Sequence, residues 1–154
     1  MKIGIIVYSK TENTYSVAQK LQEKLMAQEN EVEIQRVTPI GEVNPKAKNI
    51  QYENKPDVIK YDSIIFGSPV HAFSLAPPMR AYLEQIESLH GKDVACFVTK
   101  GLRFNWTGGN QAIGKMKKII ESKGGKVVGT DIVVWNKNRD QKIDEMIRKF
   151  AILF

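Results

Sequence analysis

Two hydrophobic periods alternate along the 154-residue chain. Residues 3–7 (Ile3-Gly4-Ile5-Ile6-Val7), 64–67 (Ile64-Ile65-Phe66-Gly67) and 94–98 (Val94-Ala95-Cys96-Phe97-Val98) are unbroken apolar runs. Runs of this kind suit strands covered on both faces. Residues 32–37 alternate instead, with Val32 and Ile34 set against Glu33 and Gln35, and residues 127–134 are interrupted by Gly129, Thr130 and Asp131. Half-wet strands belong at sheet edges. Between the strands, apolar side chains recur at helical spacing. Val17, Ala18, Leu21 and Leu25 form one stripe; Met79, Tyr82, Leu83, Ile86 and Leu89 form a second. Ala112, Ile113, Met116, Ile119 and Ile120 make a third, and Ile143, Met146, Ile147 and Phe150 a fourth.

Alternating strands and helices predict an α/β fold: a three-layer α/β/α arrangement with a five-stranded parallel sheet. The first, third and fourth strands are interior, and the second and fifth are edges. With right-handed crossovers the simplest order is 2-1-3-4-5. No repeat, linker or low-complexity stretch divides residues 1–154, so a single domain is expected. Residues 38–60, with Pro39, Gly41, Pro45 and Pro56, carry no helical stripe where a βαβ unit places a helix. An irregular crossover with at most one short helix is expected there.

Composition narrows the function. Hydrophobic residues make up 42% of the chain and charged residues 26%, ordinary for a globular protein. No apolar run approaches the roughly 20 residues that cross a bilayer. The start reads as a strand and lacks the cleavage site of a secretory leader. One cysteine, Cys96, excludes a disulfide framework, and with only His71 and His90 beside it a structural zinc site is excluded as well. A reducing cytoplasm is the expected compartment. The net charge of +6 is uneven: residues 1–99 hold 11 basic and 12 acidic side chains, and residues 100–154 hold 12 and 5. Lys115, Lys117, Lys118 and Lys123 are spaced as the wet face of a helix without aromatic platforms among them, which argues against nucleic acid.

In the 2-1-3-4-5 order the winding reverses between the first and third strands, and ligands bind in the crevice at the carboxyl ends there. The loops concerned are residues 9–14, 68–77 and 100–109. The first reads Ser9-Lys10-Thr11-Glu12-Asn13-Thr14 and runs straight into a helix. Hydroxyls, an amide and free backbone N–H groups converge at a helix start, the chemistry of a phosphate cradle. The plain alternative is an over-provided helix cap, but one cap needs one such residue.

These residues resemble the flavodoxin family. Its phosphate loop reads Ser/Thr-x-Thr-Gly-Asn-Thr after the first strand, matched here at Ser9, Thr11, Asn13 and Thr14. Gly67-Ser68-Pro69-Val70 closes the third strand as in flavodoxins and related flavin-dependent quinone reductases, and Met79–Gln85 looks like the helix that follows in those reductases. The resemblance implies bound flavin mononucleotide (FMN), with its phosphate in the first loop and its ring between the second and third. Two departures stand out. Glu12 replaces the glycine and brings a carboxylate to the phosphate, with Lys10 as the expected offset. The 68–77 loop has no glycine, where many members carry one.

A ring needs flat or apolar walls. His71 and Phe73 in the second loop, and Phe104 and Trp106 in the third, are the candidates, with core plugs as the competing role. Ser68, Pro69, Val70 and Gly101 complete the backbone around them. Lys10, Lys100 and Arg103 make the loops cationic, and residues 100–109 hold no carboxylate. Cations near a flavin favour its reduced anion, so a potential less negative than that of an acidic flavodoxin is expected. Other readings fail. Gly109–Lys115 spells most of a nucleotide-binding loop, but Met116 follows where a hydroxyl must bind magnesium. There is no Gly-x-Ser-x-Gly nucleophile elbow and no acidic cluster of a receiver domain.

The expected function is an FMN carrier moving electrons between partner enzymes. The alternative is an NAD(P)H-dependent FMN enzyme reducing a quinone or similar acceptor, and a third is a scaffold in which Glu12 has abolished cofactor binding. The partner is a redox protein or a small quinone-like molecule, with no nucleic acid or membrane.

Overall fold

The computed structural model describes residues 1–41, 49–101 and 108–154. Strand β1 (Lys2–Val7) is followed by helix α1 (Asn13–Ala27) and strand β2 (Glu31–Arg36). Short strands β3 (Thr38–Pro39) and β4 (Tyr52–Asn54) precede the long β5 (Ser63–His71), which folds back through β6 (Ser74–Leu75). Helix α2 (Pro77–Gln85), β7 (Asp93–Lys100), α3 (Gly109–Ser122), β8 (Lys126–Val134) and α4 (Arg139–Leu153) complete the order.

The main sheet runs β2-β1-β5-β7-β8, and every pairing along it is parallel. This is the expected 2-1-3-4-5 order. The edges are where the alternating pattern put them: β2 and β8 are mostly half-buried, while β1, β5 and β7 hold the fully covered runs. Two apolar layers sandwich the sheet. Helices α1 and α4 pack Val17, Leu21, Ile143 and Phe150 on Ile3, Ile5, Val7 and Phe97. Helices α2 and α3 pack Met79, Tyr82, Met116 and Ile120 on Ile6, Ile64 and Phe66. Two strand glycines let a ring lie flat on the sheet. A Cβ on Gly4 would sit 2.5 Å from the Tyr61 ring, and one on Gly67 would sit 2.4 Å from the Phe97 ring.

Three boundaries differ from the pattern. The third strand continues beyond Gly67 to His71, so Ser68, Pro69 and Val70 are strand residues rather than loop. Helix α2 ends at Gln85, because Ile86 turns to ψ 130, although Ile86 and Leu89 remain buried. A buried residue on the loop thus extends the apolar stripe past the helix. Within 38–60, β3 and β4 pair antiparallel, and the described residues there include no helix; residues 42–48 lie outside the described part. Both Gly109 and Gly114 lie in α3, so the nucleotide-loop likeness is helical sequence. No helix among the described residues is long and apolar enough to cross a membrane. No cluster of three or more metal-ligating side chains occurs among them either.

Candidate functional site

The sheet order brings the carboxyl ends of β1, β5 and β7 together where the winding reverses. Leaving β1, the chain crosses Ser9–Glu12 and enters α1. The residue before the helix, Glu12, is left-handed, with φ 68 and ψ −5, and its side chain makes no capping bond. This is a conformation that glycine adopts more readily than other residues, at the place where the resembled loop carries glycine. The cap comes from upstream instead: the Tyr15 N–H donates to Ser9 Oγ at 3.2 Å. The first helical bond, from Ser16 N–H to the Glu12 carbonyl, is 2.9 Å. Preceding N–H groups of a helix have no partner within it and point out along the axis. Exposed Lys10 and Thr11 and half-buried Asn13 surround that end. Thr14 is buried, with its Oγ1 2.9 Å from Thr99 Oγ1, which fixes the helix start to the end of β7.

Lys10 was the expected offset for Glu12. The structure assigns that task to Arg36 instead. Its guanidinium holds both Glu12 carboxylate oxygens, at 3.0 and 2.7 Å, and lies 3.9 Å from the Tyr15 ring centroid. The hydrogen bonds from Arg36 hold the Glu12 carboxyl below the ordinary carboxylate range. Arg36 was absent from the sequence candidates, and only the folded sheet brings it to the loop. Val32, Ile34 and Arg36 share the α1-facing side of β2, and Arg36 pairs in register with Val7, the last residue before the loop.

The second wall is a tight hairpin. Val70 pairs with Leu75 and His71 with Ser74, leaving Ala72 (φ 49) and Phe73 (φ 61) as a two-residue left-handed turn. Phe73 is 62% exposed, so it is no core plug. His71 stands edge-on to Tyr8, with ring centroids 6.0 Å apart. Burial, and then the Lys10 ammonium, push the His71 pKa below its ordinary value, which favours the neutral ring. Ser68 is fully buried, and its hydroxyl donates to the Pro69 carbonyl at 3.0 Å, turned onto its own strand. Pro69 and Val70 are half-buried on the same strand.

At the third wall, Lys100 ends β7 only 5% exposed, and burial lowers its pKa. Its stem passes beside Gly109, the first residue of α3. Gly101 is exposed just beyond; Arg103, Phe104 and Trp106 lie outside the described residues. The chain re-enters at Gly108 (φ 114), where a Cβ would fall 2.7 Å from the Phe73 Cα. Gly108 therefore packs directly onto the hairpin tip. Between hairpin and helices opens a cleft of about 700 Å³ lined by Tyr8, Lys10, His71, Ala72, Arg80 and Lys115 among others.

The donor set fits a flavin mononucleotide. Hydroxyls and helix N–H groups meet at one end for a dianion, the one carboxylate there is held by Arg36, and aromatic side chains stand at the hairpin. A flavodoxin domain model matches residues 4–152. The chain belongs to the flavodoxin family. Solved flavodoxins agree in fold. One from Bacillus cereus is 22% identical, with a TM-score of 0.75 and all of both chains covered. The Megasphaera elsdenii flavodoxin is 22% identical, with a TM-score of 0.68, and covers 97% of this chain and 98% of its own. A Fusobacterium nucleatum flavodoxin, bound to flavin mononucleotide, is 16% identical, with a TM-score of 0.67 and coverage of 99% and 98%. A sequence search of curated proteins finds no match. Cys96 is buried mid-strand in this chain, and burial pushes its pKa up to about 12.

Proposed function

We propose that this flavodoxin carries electrons between partner enzymes, with the cytoplasm as its expected compartment. FMN is its cofactor. When bound, the flavin supplies the one- and two-electron chemistry; the chain binds and orients it. Ser9, Thr11, Asn13, Thr14 and the start of α1 take the phosphate, and the hairpin of His71 and Phe73 flanks the ring. The observation that carries this reading is the start of α1, where four family phosphate-loop residues surround a helix end braced by Thr99 and Arg36.

The test is an absorption spectrum of the purified protein, followed by denaturation. A yellow protein that releases FMN supports the reading. A colourless one that refuses added FMN at micromolar concentration defeats it.

One feature favours the enzyme alternative: Lys10, Arg80 and Lys115 line the cleft beside the hairpin, and no carboxylate is among its described lining residues. Such a cleft suits an anionic nicotinamide dinucleotide. Rapid NADH or NADPH oxidation in the presence of a quinone would select the enzyme, and none would leave the carrier.

A further inference from the structure

We propose that Arg36 is a positioning residue for the FMN phosphate, holding Glu12 so that a carboxylate can stand in the phosphate loop. The inference rests on the reading that this loop takes the phosphate. A glutamate at this point poses two separate problems. Its backbone must hold a left-handed conformation, φ 68, that a Cβ disfavours. Its charge stands at a helix end that is meant to receive a dianion, where like charges repel.

Arg36 answers both. It engages the two carboxylate oxygens at once, at 3.0 and 2.7 Å, so the group is fixed toward the edge strand and its charge is matched. The guanidinium is itself fixed, 3.9 Å from the Tyr15 ring on α1. Tyr15 in turn gives its N–H to Ser9 Oγ, inside the loop. Edge strand, loop and helix are thereby tied through one planar cation. Lysine does not replace it, because an ammonium has neither the fork nor the flat face. Lys10, on the loop itself, makes no ion pair with Glu12; that pair belongs to Arg36.

The experiment titrates the apoprotein with FMN and with riboflavin, which lacks the phosphate, following flavin fluorescence at two salt concentrations. The proteins are wild type, Arg36→Gln, Arg36→Lys and Glu12→Gly/Arg36→Gln. Arg36→Gln is expected to weaken FMN binding roughly tenfold and to leave riboflavin nearly unchanged. Added salt should recover part of that loss, because it screens the freed carboxylate from the phosphate. The double variant should return to wild-type affinity, and Arg36→Lys should fall between. Unchanged FMN affinity in Arg36→Gln overturns the proposal. So does a double variant as weak as the single one, which would mean that Arg36 touches the phosphate itself. Equal loss of FMN and riboflavin also overturns it, as a general structural effect. A wild-type protein that binds riboflavin as well as FMN defeats the underlying phosphate reading instead.

Discussion

The Thr14 and Thr99 hydroxyls lie 2.9 Å apart, 85 residues distant in sequence and both buried. The pair joins the first turn of α1 to the carboxyl end of β7, beside the crevice. Thr99→Val keeps the shape and removes one partner, leaving the buried Thr14 hydroxyl without this bond. The expected loss is about 1–2 kcal/mol, seen as a melting temperature lowered by roughly 2–4 °C for each kcal/mol. FMN affinity should fall as well, since Thr14 belongs to the proposed phosphate loop. Unchanged melting and unchanged affinity would remove Thr99 from the account.

Gly108 meets the hairpin at closer range than any side chain allows. It is left-handed, and a Cβ there would lie 2.7 Å from backbone of Phe73 and from a Val70 methyl. Gly91 is left-handed too, with φ 73, but faces open space. Gly91→Ala should therefore lose only the backbone term of about 1–2 kcal/mol. Gly108→Ala adds an overpacking term of roughly 1–3 kcal/mol and must shift the hairpin tip. Urea unfolding of the two variants, side by side, separates the terms. Equal losses would mean that the approach of Gly108 to Phe73 is not rigid.

Much of this was legible in the sequence because burial on one face or two leaves different traces. The unbroken runs at residues 3–7, 64–67 and 94–98 marked the interior strands, and the alternation at 32–37 marked an edge. The candidate phosphate loop could be proposed from the sequence because its residues are contiguous. Arg36 could not, since its partner lies 24 positions away and the contact exists only through the Val7–Arg36 register. Nor could the hairpin at 70–75. Its turn residues, Ala72 and Phe73, are not the glycine or asparagine that announces left-handed backbone. The stripe that ran past Gln85 misled for a further reason: Leu89 is buried on a loop, where its N–H donates to the Lys123 carbonyl.

His71 supplies a pH dependence whose sign follows from its surroundings. Burial first, and Lys10 second, depress its folded pKa below the ordinary 6.5. Above about pH 6.5 both folded and unfolded chains carry a neutral ring, and His71 adds no slope. Below that the unfolded chain takes up the proton first, so stability drops as pH falls toward the folded pKa and then levels. Lys10→Gln should raise the His71 pKa and shrink this loss; His71→Gln should abolish its share. Titration of the His71 ring protons by NMR, in wild type and Lys10→Gln, checks the direction. A pKa at or above 6.5 in the wild type would contradict it.

Lys10 is also expected to bear on the flavin. Its ammonium is close enough to act on His71, and it lines the cleft at the hairpin together with Arg80 and Lys115. A cation near the ring favours the anionic reduced flavin over the neutral oxidised one, which raises the potential. Lys10→Glu reverses that charge on an exposed side chain, where solvent and salt screen it. The expected shift is therefore modest, on the order of tens of millivolts toward more negative values at low salt. Spectroelectrochemical titration at low and high ionic strength measures both the shift and its screening. Should Lys10→Glu leave the potential unchanged at low salt, the cationic loop would have no hold on the flavin.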